Sequence, residues 1–397
     1  MAQRSIQPQR RGGAERQKVM RRRNEGSIVP PLRLCVSAVS TLFVAIALAG
    51  CTNDARDTNV ESAIESNWPP EKLSAYGLFV GNGATQEPVD GVVPYDLNTP
   101  LFSDYTEKLR FIKLPPGGKI KYRETEIFDF PVGTIIAKTF AYPHDMNDPA
   151  KGRRLLETRI LEHRPDGWVG LPYIWNKEQT EAVLELAGDT LEVAWRHSDG
   201  NERTNRYLVP NANQCKGCHE ADGTDKPMRP LGPTARQLNR DFAYHGGSEN
   251  QLAHWSKLGM LAEPIDPTSA AKLPVWNDAS TGSLNDRARA WLEINCAHCH
   301  NPAGPAKNSG LDLQYAQHTP AKYGVFKSPV AAGRGTGGRL YSIVPGKPDE
   351  SILLYRIDSD QPQISMPELG KRLTHKEAVA LIRQWIAEMP ATDRDGG

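Results

Sequence analysis

Two five-residue frames constrain this chain more than anything else in it. Cys215-Lys216-Gly217-Cys218-His219 and Cys296-Ala297-His298-Cys299-His300 repeat the pattern Cys-x-x-Cys-His, and they use every cysteine except Cys35 and Cys51. The pattern is that of covalent c-type haem attachment. Two thiols three positions apart, on one helical turn, reach the two vinyl groups along one porphyrin edge. The adjacent imidazole then projects beneath the ring to the iron. The spacing predicts two covalently bound haems c, with His219 and His300 as proximal ligands. A zinc site, a thioredoxin-like pair and two structural disulfides are the competing uses of such cysteines. The repeated His after each pair, and the missing βαβ context of a thioredoxin, favour haem.

The N-terminus reads as an export signal. The first fifty residues hold nine Lys/Arg and two Asp/Glu, although the whole chain of 397 residues is only +1. Arg21, Arg22, Arg23 and Arg33 precede an apolar run from Leu34 to Gly50, too short and sharply ended for a membrane span. It closes on Leu48-Ala49-Gly50-Cys51, which resembles the bacterial lipobox, with Cys51 as the lipidated new N-terminus. Residues 1–50 are thus expected to be a lipoprotein signal peptide and 51–66 a polar tether. Thr52 is not the Asp that retains lipoproteins at the inner membrane, so a periplasmic protein held by lipid at the outer membrane is expected. Beyond the signal, acidic residues outnumber basic ones, which argues against a nucleic-acid partner.

The remainder predicts a multidomain α+β chain: a β-rich, sandwich-like domain over 67–206, then a mainly α, cytochrome c-like haem region. Residues 128–142, 153–163, 167–175 and 189–197 are rich in β-branched and aromatic residues separated by Gly, Pro, Asn and Asp. Residues 176–187 read as a helical interruption. A first haem segment is expected over 207–265, a Pro- and Ser/Thr-rich linker over 266–282, and a second haem domain over 283–390. In that last domain Ser283 and Asp286 approximate a capping box before an apolar face ending at Cys296. Thr374-His375-Lys376-Glu377 reads as a full capping box before a closing helix lined by Val379, Ile382 and Ile386. Pro230-Leu231-Gly232-Pro233 resembles the stretch of class I cytochromes c that offers a backbone carbonyl to the Nδ1–H of the proximal His.

An electron-carrying iron also needs a distal ligand, and thioether sulfur raises its potential. Met366, in a loop before the closing helix, is the candidate for the second haem. Met260 is the first choice for the first haem, with His254 and His245 as rivals and an open position as a further possibility. Met228 falls on the proximal side. His298 is expected to face solvent or the first haem. Arg334 and Arg339, in a Gly-rich loop, and Arg236 are candidate propionate partners.

Several longer segments carry a resemblance: PYDLNTPLFSDYTEKLRFIKLP (94–115), LGPTARQLNRDF (231–242), SGLDL (309–313), PVAAGRGTGG (329–338) and MPELG (366–370), beside the two haem frames. With these the chain resembles an uncharacterised bacterial family of dihaem c-type cytochromes, often exported as lipoproteins. The resemblance implies a β-rich domain followed by a cytochrome c region; it supplies no substrate or partner. The expected function is electron transfer through two haems to and from redox partner proteins, with no substrate bond broken. The runner-up is an enzyme, a dihaem peroxidase or oxidase-like catalyst with an open sixth position at the first haem. A hydrolase or carbohydrate binder is disfavoured because no paired carboxylates stand at a diagnostic spacing.

Overall fold

In the computed structural model the described residues are 68–220, 228–330 and 332–390; the expected signal peptide, Cys51 and the tether lie outside them. Ser62–Gly397 forms one compact unit. Among the described residues no helix is long and apolar enough to cross a membrane.

The first half is β-rich. Six strands form an antiparallel sheet in the order β1-β2-β3-β4-β5-β6: β1 (Val92–Tyr95), β2 (Glu107–Lys113), β3 (Ile135–Pro143), β4 (Arg153–Arg164), β5 (Gly167–Trp175) and β6 (Ala182–Leu184). Antiparallel neighbours in sequence order can be joined by tight turns, as between β4 and β5, although β1–β2 and β2–β3 are joined by longer segments. A separate hairpin pairs β7 (Asp189–Arg196) with β8 (Glu202–Val209). Its Val193, Trp195, Tyr207 and Val209 pack on Phe140 and Tyr142 of β3. The second layer is therefore one hairpin over one end of the sheet, and not the second full sheet of a sandwich.

Alternation along the strands separates the two faces. Phe111, Ala137, Ile160 and Leu171 stand side by side and pack against Leu73 and Leu78 of the segment preceding β1. On the other face Ile112, Ile136 and Leu161 meet the segment after β8, through Leu238, Leu252, Trp255 and Met260. Residues 176–187 hold a turn and edge strand β6 where a helix was expected. Asn176 accepts from the backbone of Thr180, and Gln179 has a φ of 57°, so local side-chain hydrogen bonds override the helical pattern.

After β8 come α1 (Ala212–His219), α2 (Ala235–Leu238), the hairpin β9 (Asp241–Tyr244) and β10 (Gly247–Asn250), and α3 (Gln251–Lys257). The last part contains α4 (Leu284–Leu292), α5 (Pro320–Tyr323), α6 (Ile352–Ile357) and α7 (Lys376–Ala387). Ser283 and Asp286 cap α4 reciprocally, as expected. The box at Thr374 does not form: His375 is the N-cap residue and makes no capping bond. Its place is taken from across the molecule, where the Tyr105 hydroxyl oxygen accepts the Lys376 backbone N–H at 3.2 Å. Glu377 is held instead by the same hydroxyl, at 3.0 Å. Ala288, Trp291 and Leu292 of α4 share a core with Val379, Ile382 and Trp385 of α7.

One strap, residues 96–105, ties these parts together. Asn98 donates to the carbonyls of Arg236 and Asn239. Phe102 N–H donates to Asn295 Oδ1 at 2.9 Å, just before the second Cys-x-x-Cys-His frame. Asp104 Oδ1 accepts the backbone N–H groups of Arg372 (2.7 Å) and Leu373 (2.8 Å).

Candidate haem-binding centre

The first frame lies on α1. Asn211 and Gln214 form a capping box that starts this short helix at Ala212, so Cys215 and Cys218 stand one turn apart within it. The helix lies on β5 over Gly170. A Cβ at Gly170 would sit 3.0 Å from Met228 Cε and 3.4 Å from Cys215 Cβ. Glycine is thus required for close approach and not for backbone freedom.

His219 Nδ1 lies 2.7 Å from the Arg229 carbonyl oxygen. A carbonyl only accepts, so Nδ1 carries the proton and Nε2 keeps its lone pair. The expected carbonyl partner is therefore present, one residue before the Pro-Leu-Gly-Pro stretch. Met228 is beside that carbonyl, on the Nδ1 side of the ring.

The second frame begins in a π-helical turn, Glu293–Ala297, that continues α4 and buries Cys296 in the α4–α7 core. His300 Nδ1 lies 2.9 Å from Ser309 Oγ, and that hydroxyl donates to the Ala306 carbonyl at 2.7 Å. With its proton committed, Ser309 can only accept from His300, which again leaves Nε2 available. Burial holds both histidines well below the ordinary value, at about 4, so both rings are neutral and competent as ligands.

The two frames meet. Cys299 Sγ lies 4.0 Å from the Gly217 carbonyl, and Cys218 is hydrogen-bonded to Cys299 and to His298. Contact with Cys299 holds the Cys218 thiol below its ordinary value. Burial pushes Cys296 up to about 12 and also raises Cys215. All four are free thiols, and among the described residues no group of three or more His, Cys, Asp or Glu is placed to hold a metal ion by itself. The donor set suits a haem c: two thiols on one turn, then an oriented imidazole with a free Nε2.

The loop carrying Met366 borders the second frame. Met366 N–H donates to the Arg356 carbonyl, and Arg356 Nε donates to the Ile364 carbonyl at 2.9 Å. The Arg356 charge also reaches His300. Leu369 of the same loop sits 3.5 Å from the position a Cβ would take on Gly217.

Met260 is placed differently. It is 8% exposed, in the core with Ile120, Leu252, Trp255 and Leu261, and no described contact brings its sulfur to His219. His254 is occupied by Glu249 at 2.8 Å and stacks on Tyr244, and His245 is exposed. His298 faces the first frame, and its charge would reach both His219 and His300.

The proposed propionate arginines have other partners. Arg236 pairs with Glu293, Arg339 lies over the Tyr355 ring at 4.1 Å, and Arg334 is exposed. Gly335 of that loop instead makes room for Arg356, 3.0 Å from a would-be Cβ.

Sequence reasoning did not single out a row of charges on the sheet face beside α1. Arg110 of β2 pairs in register with Lys138 of β3, and Lys138 with Arg159 of β4. The signal was available: Lys138 alternates with Ile136 and Phe140 on an inward face, where a lysine is out of place. A cleft of about 590 Å³ also opens on the Arg229 side of the frames, lined by Trp168, Arg229, Arg236, Glu293 and His298. Three nitrogens of its lining residues, Arg229 Nε, Arg236 Nε and His298 Nδ1, are buried and lack a hydrogen-bond partner. No protein-family model, curated protein or solved structure matches the chain.

Proposed function

We propose that this chain is an exported dihaem c-type cytochrome that passes electrons through haems attached at Cys215/Cys218 and Cys296/Cys299. The observation that carries the reading is the paired second contact on each histidine. His219 and His300 each commit Nδ1 to an acceptor, and each keeps Nε2 for an iron. A histidine present only for packing needs no such orientation, and two in identical frames need it less. When bound, a haem c supplies a one-electron ferrous/ferric couple. The protein fixes each imidazole, keeps each pair of thiols on one turn and sets the two frames in contact through Cys218 and Cys299. That contact gives electrons a short path between sites.

Met366 is the proposed distal ligand of the second haem, supported by its loop beside the second frame. The closing helix α7 against α4 is consistent with a cytochrome c-like region, and the β-rich part would dock redox partner proteins. In the same reading Cys51 carries the lipid that holds the chain at the periplasmic face of the outer membrane.

The test is a pyridine haemochrome assay with mass spectrometry on the full chain expressed with a c-type maturation system. Two haems per chain are expected. One haem, or none with bound zinc, overturns the reading.

One observation favours the runner-up, an enzyme with an open first haem: Met260 is packed in a core and His254 is already engaged by Glu249. Carbon monoxide binding to one of two ferrous haems at neutral pH would select it. Two ligand-resistant low-spin haems would select the electron carrier.

A further inference from the structure

The sheet face beside the first frame carries a charge pattern that the protein alone leaves unbalanced. Arg110, Lys138 and Arg159 stand side by side on three adjacent strands, and Lys108 faces Phe140 in the next row. Like charges directly opposite on neighbouring strands are destabilising. Two carboxylates pair with the arginines, and a third, Asp104, is within electrostatic reach of Lys108 but is engaged by the Arg372 and Leu373 backbone N–H groups. Asp96 takes Arg110 at 2.6 Å and is shared with Arg240. Glu157 is fully engaged, by Arg159 through both oxygens (2.6 and 2.8 Å) and by the Tyr207 hydroxyl (2.6 Å). Lys138 has only the face of the Phe140 ring, 4.8 Å from Nζ; among the described residues no carboxylate lies within ion-pair distance. Lys108 donates to the Thr106 carbonyl alone. Yet neither lysine is sealed away, since both keep intermediate exposure. Their surroundings are desolvated enough to push Lys108 down to about 7.

The charged row adjoins the first frame. Cys215 lies over β5, Arg159 on β4 is within electrostatic reach of Cys215, and Lys138 on β3 is within reach of His219. Successive strands are about 4.8 Å apart, so β5 to β2 spans roughly 14 Å. Thioether bonds take one edge of a porphyrin and its two propionates lie on the opposite edge. A haem held by Cys215, Cys218 and His219 would have Lys138 and Arg159 among the cations near enough to meet its carboxylates.

We infer that Lys138, flanked by Arg110 and Arg159 and supported by Lys108, forms a carboxylate-binding site whose occupant is a propionate of the haem on the first frame. This rests on the haem reading above. A free small carboxylate has the same chemistry and is the other possible source of the anion.

The test compares wild type, Lys138→Met and Lys138→Arg by haem content, spectroelectrochemical titration, and calorimetric titration with acetate. Loss of a cation beside a propionate favours ferric iron. Lys138→Met should therefore lower one midpoint and leave the other in place, with no dependence on acetate, and Lys138→Arg should restore it. Acetate binding by wild type, lost in Lys138→Met, with midpoints that move only when acetate is present, would assign the site to a free carboxylate. Unchanged midpoints and no acetate binding in any variant would overturn the site. A chain without haem overturns the electron-transfer reading; acetate binding by that haem-free chain, and its loss in Lys138→Met, then decides this one.

Discussion

The two Cys-x-x-Cys-His frames are identical in pattern and differ in how the fold holds them. The first stands on its own short helix against a sheet, and its histidine is oriented by a backbone carbonyl. The second is continuous with α4, buries its first cysteine in a helical core, and orients its histidine through a serine hydroxyl. A carbonyl partner belongs to the backbone and survives most substitutions. A hydroxyl partner is a side chain and can be lost in one step. The first site thus depends on the surface it lies on, and the second on the residues it contains.

That contrast breaks most severely at Gly170. Gly170→Leu would thrust a side chain into Met228 and Cys215, and overpacking of this kind typically costs about 1–3 kcal/mol. On the proposed dihaem function the expected outcome is one haem per chain against two in wild type, with mass spectrometry placing the remaining haem at Cys296/Cys299. Retention of both haems would show that α1 does not depend on β5.

Ser309→Ala sharpens the contrast at the other frame. Removing the acceptor of His300 Nδ1–H should weaken imidazole ligation, and lost partners of this kind commonly cost about 10–100-fold. Resistance of the second haem to an added competing ligand such as imidazole should fall, while Arg229→Ala, which keeps the carbonyl, leaves the first unaffected. Equal responses would remove the distinction between the two supports.

A separate test concerns His375, at the N-terminus of α7 and stacked on Phe102 of the strap at 4.1 Å. Burial, with Lys108 and Lys371 nearby, holds its pKa at about 3, below the ordinary 6.5. The unfolded chain therefore binds the extra proton first. This residue's contribution to stability is complete above pH 6.5 and is lost as pH falls toward 3, by up to about 1.4 kcal/mol per pH unit. Denaturant unfolding of His375→Gln should show a shallower decline with acid than wild type. Parallel curves would mean that other groups set the acid limit.

The frames, the Arg229-side partner of His219, the capping of α4 and strands β4, β5 and β7 were all legible in the sequence, because each rests on local spacing or alternation. What was not legible depends on distant chain. The helix expected over 176–187 has a plausible pattern, but Gln179 exchanges hydrogen bonds with the Leu155 backbone, 24 positions away. The cap of α7 comes from Tyr105, 271 positions away. Ser309 was visible only as part of a quoted segment, with no local sign of its role. Lys138 carried a clue in its alternation, but only strand register reveals that it stands between two arginines.

The strap has a consequence for the order in which the molecule can be completed. Asp104 and Tyr105 reach partners 268 to 272 positions away, near the end of the chain. Contacts of such separation form late, after the loop-closure entropy has been met. A chain emerging from its N-terminus can build the six-stranded meander early, since each strand pairs with its sequence neighbour, but it cannot latch until the last helix has arrived. The length of that interval is set by the distance along the chain between residues 104 and 372.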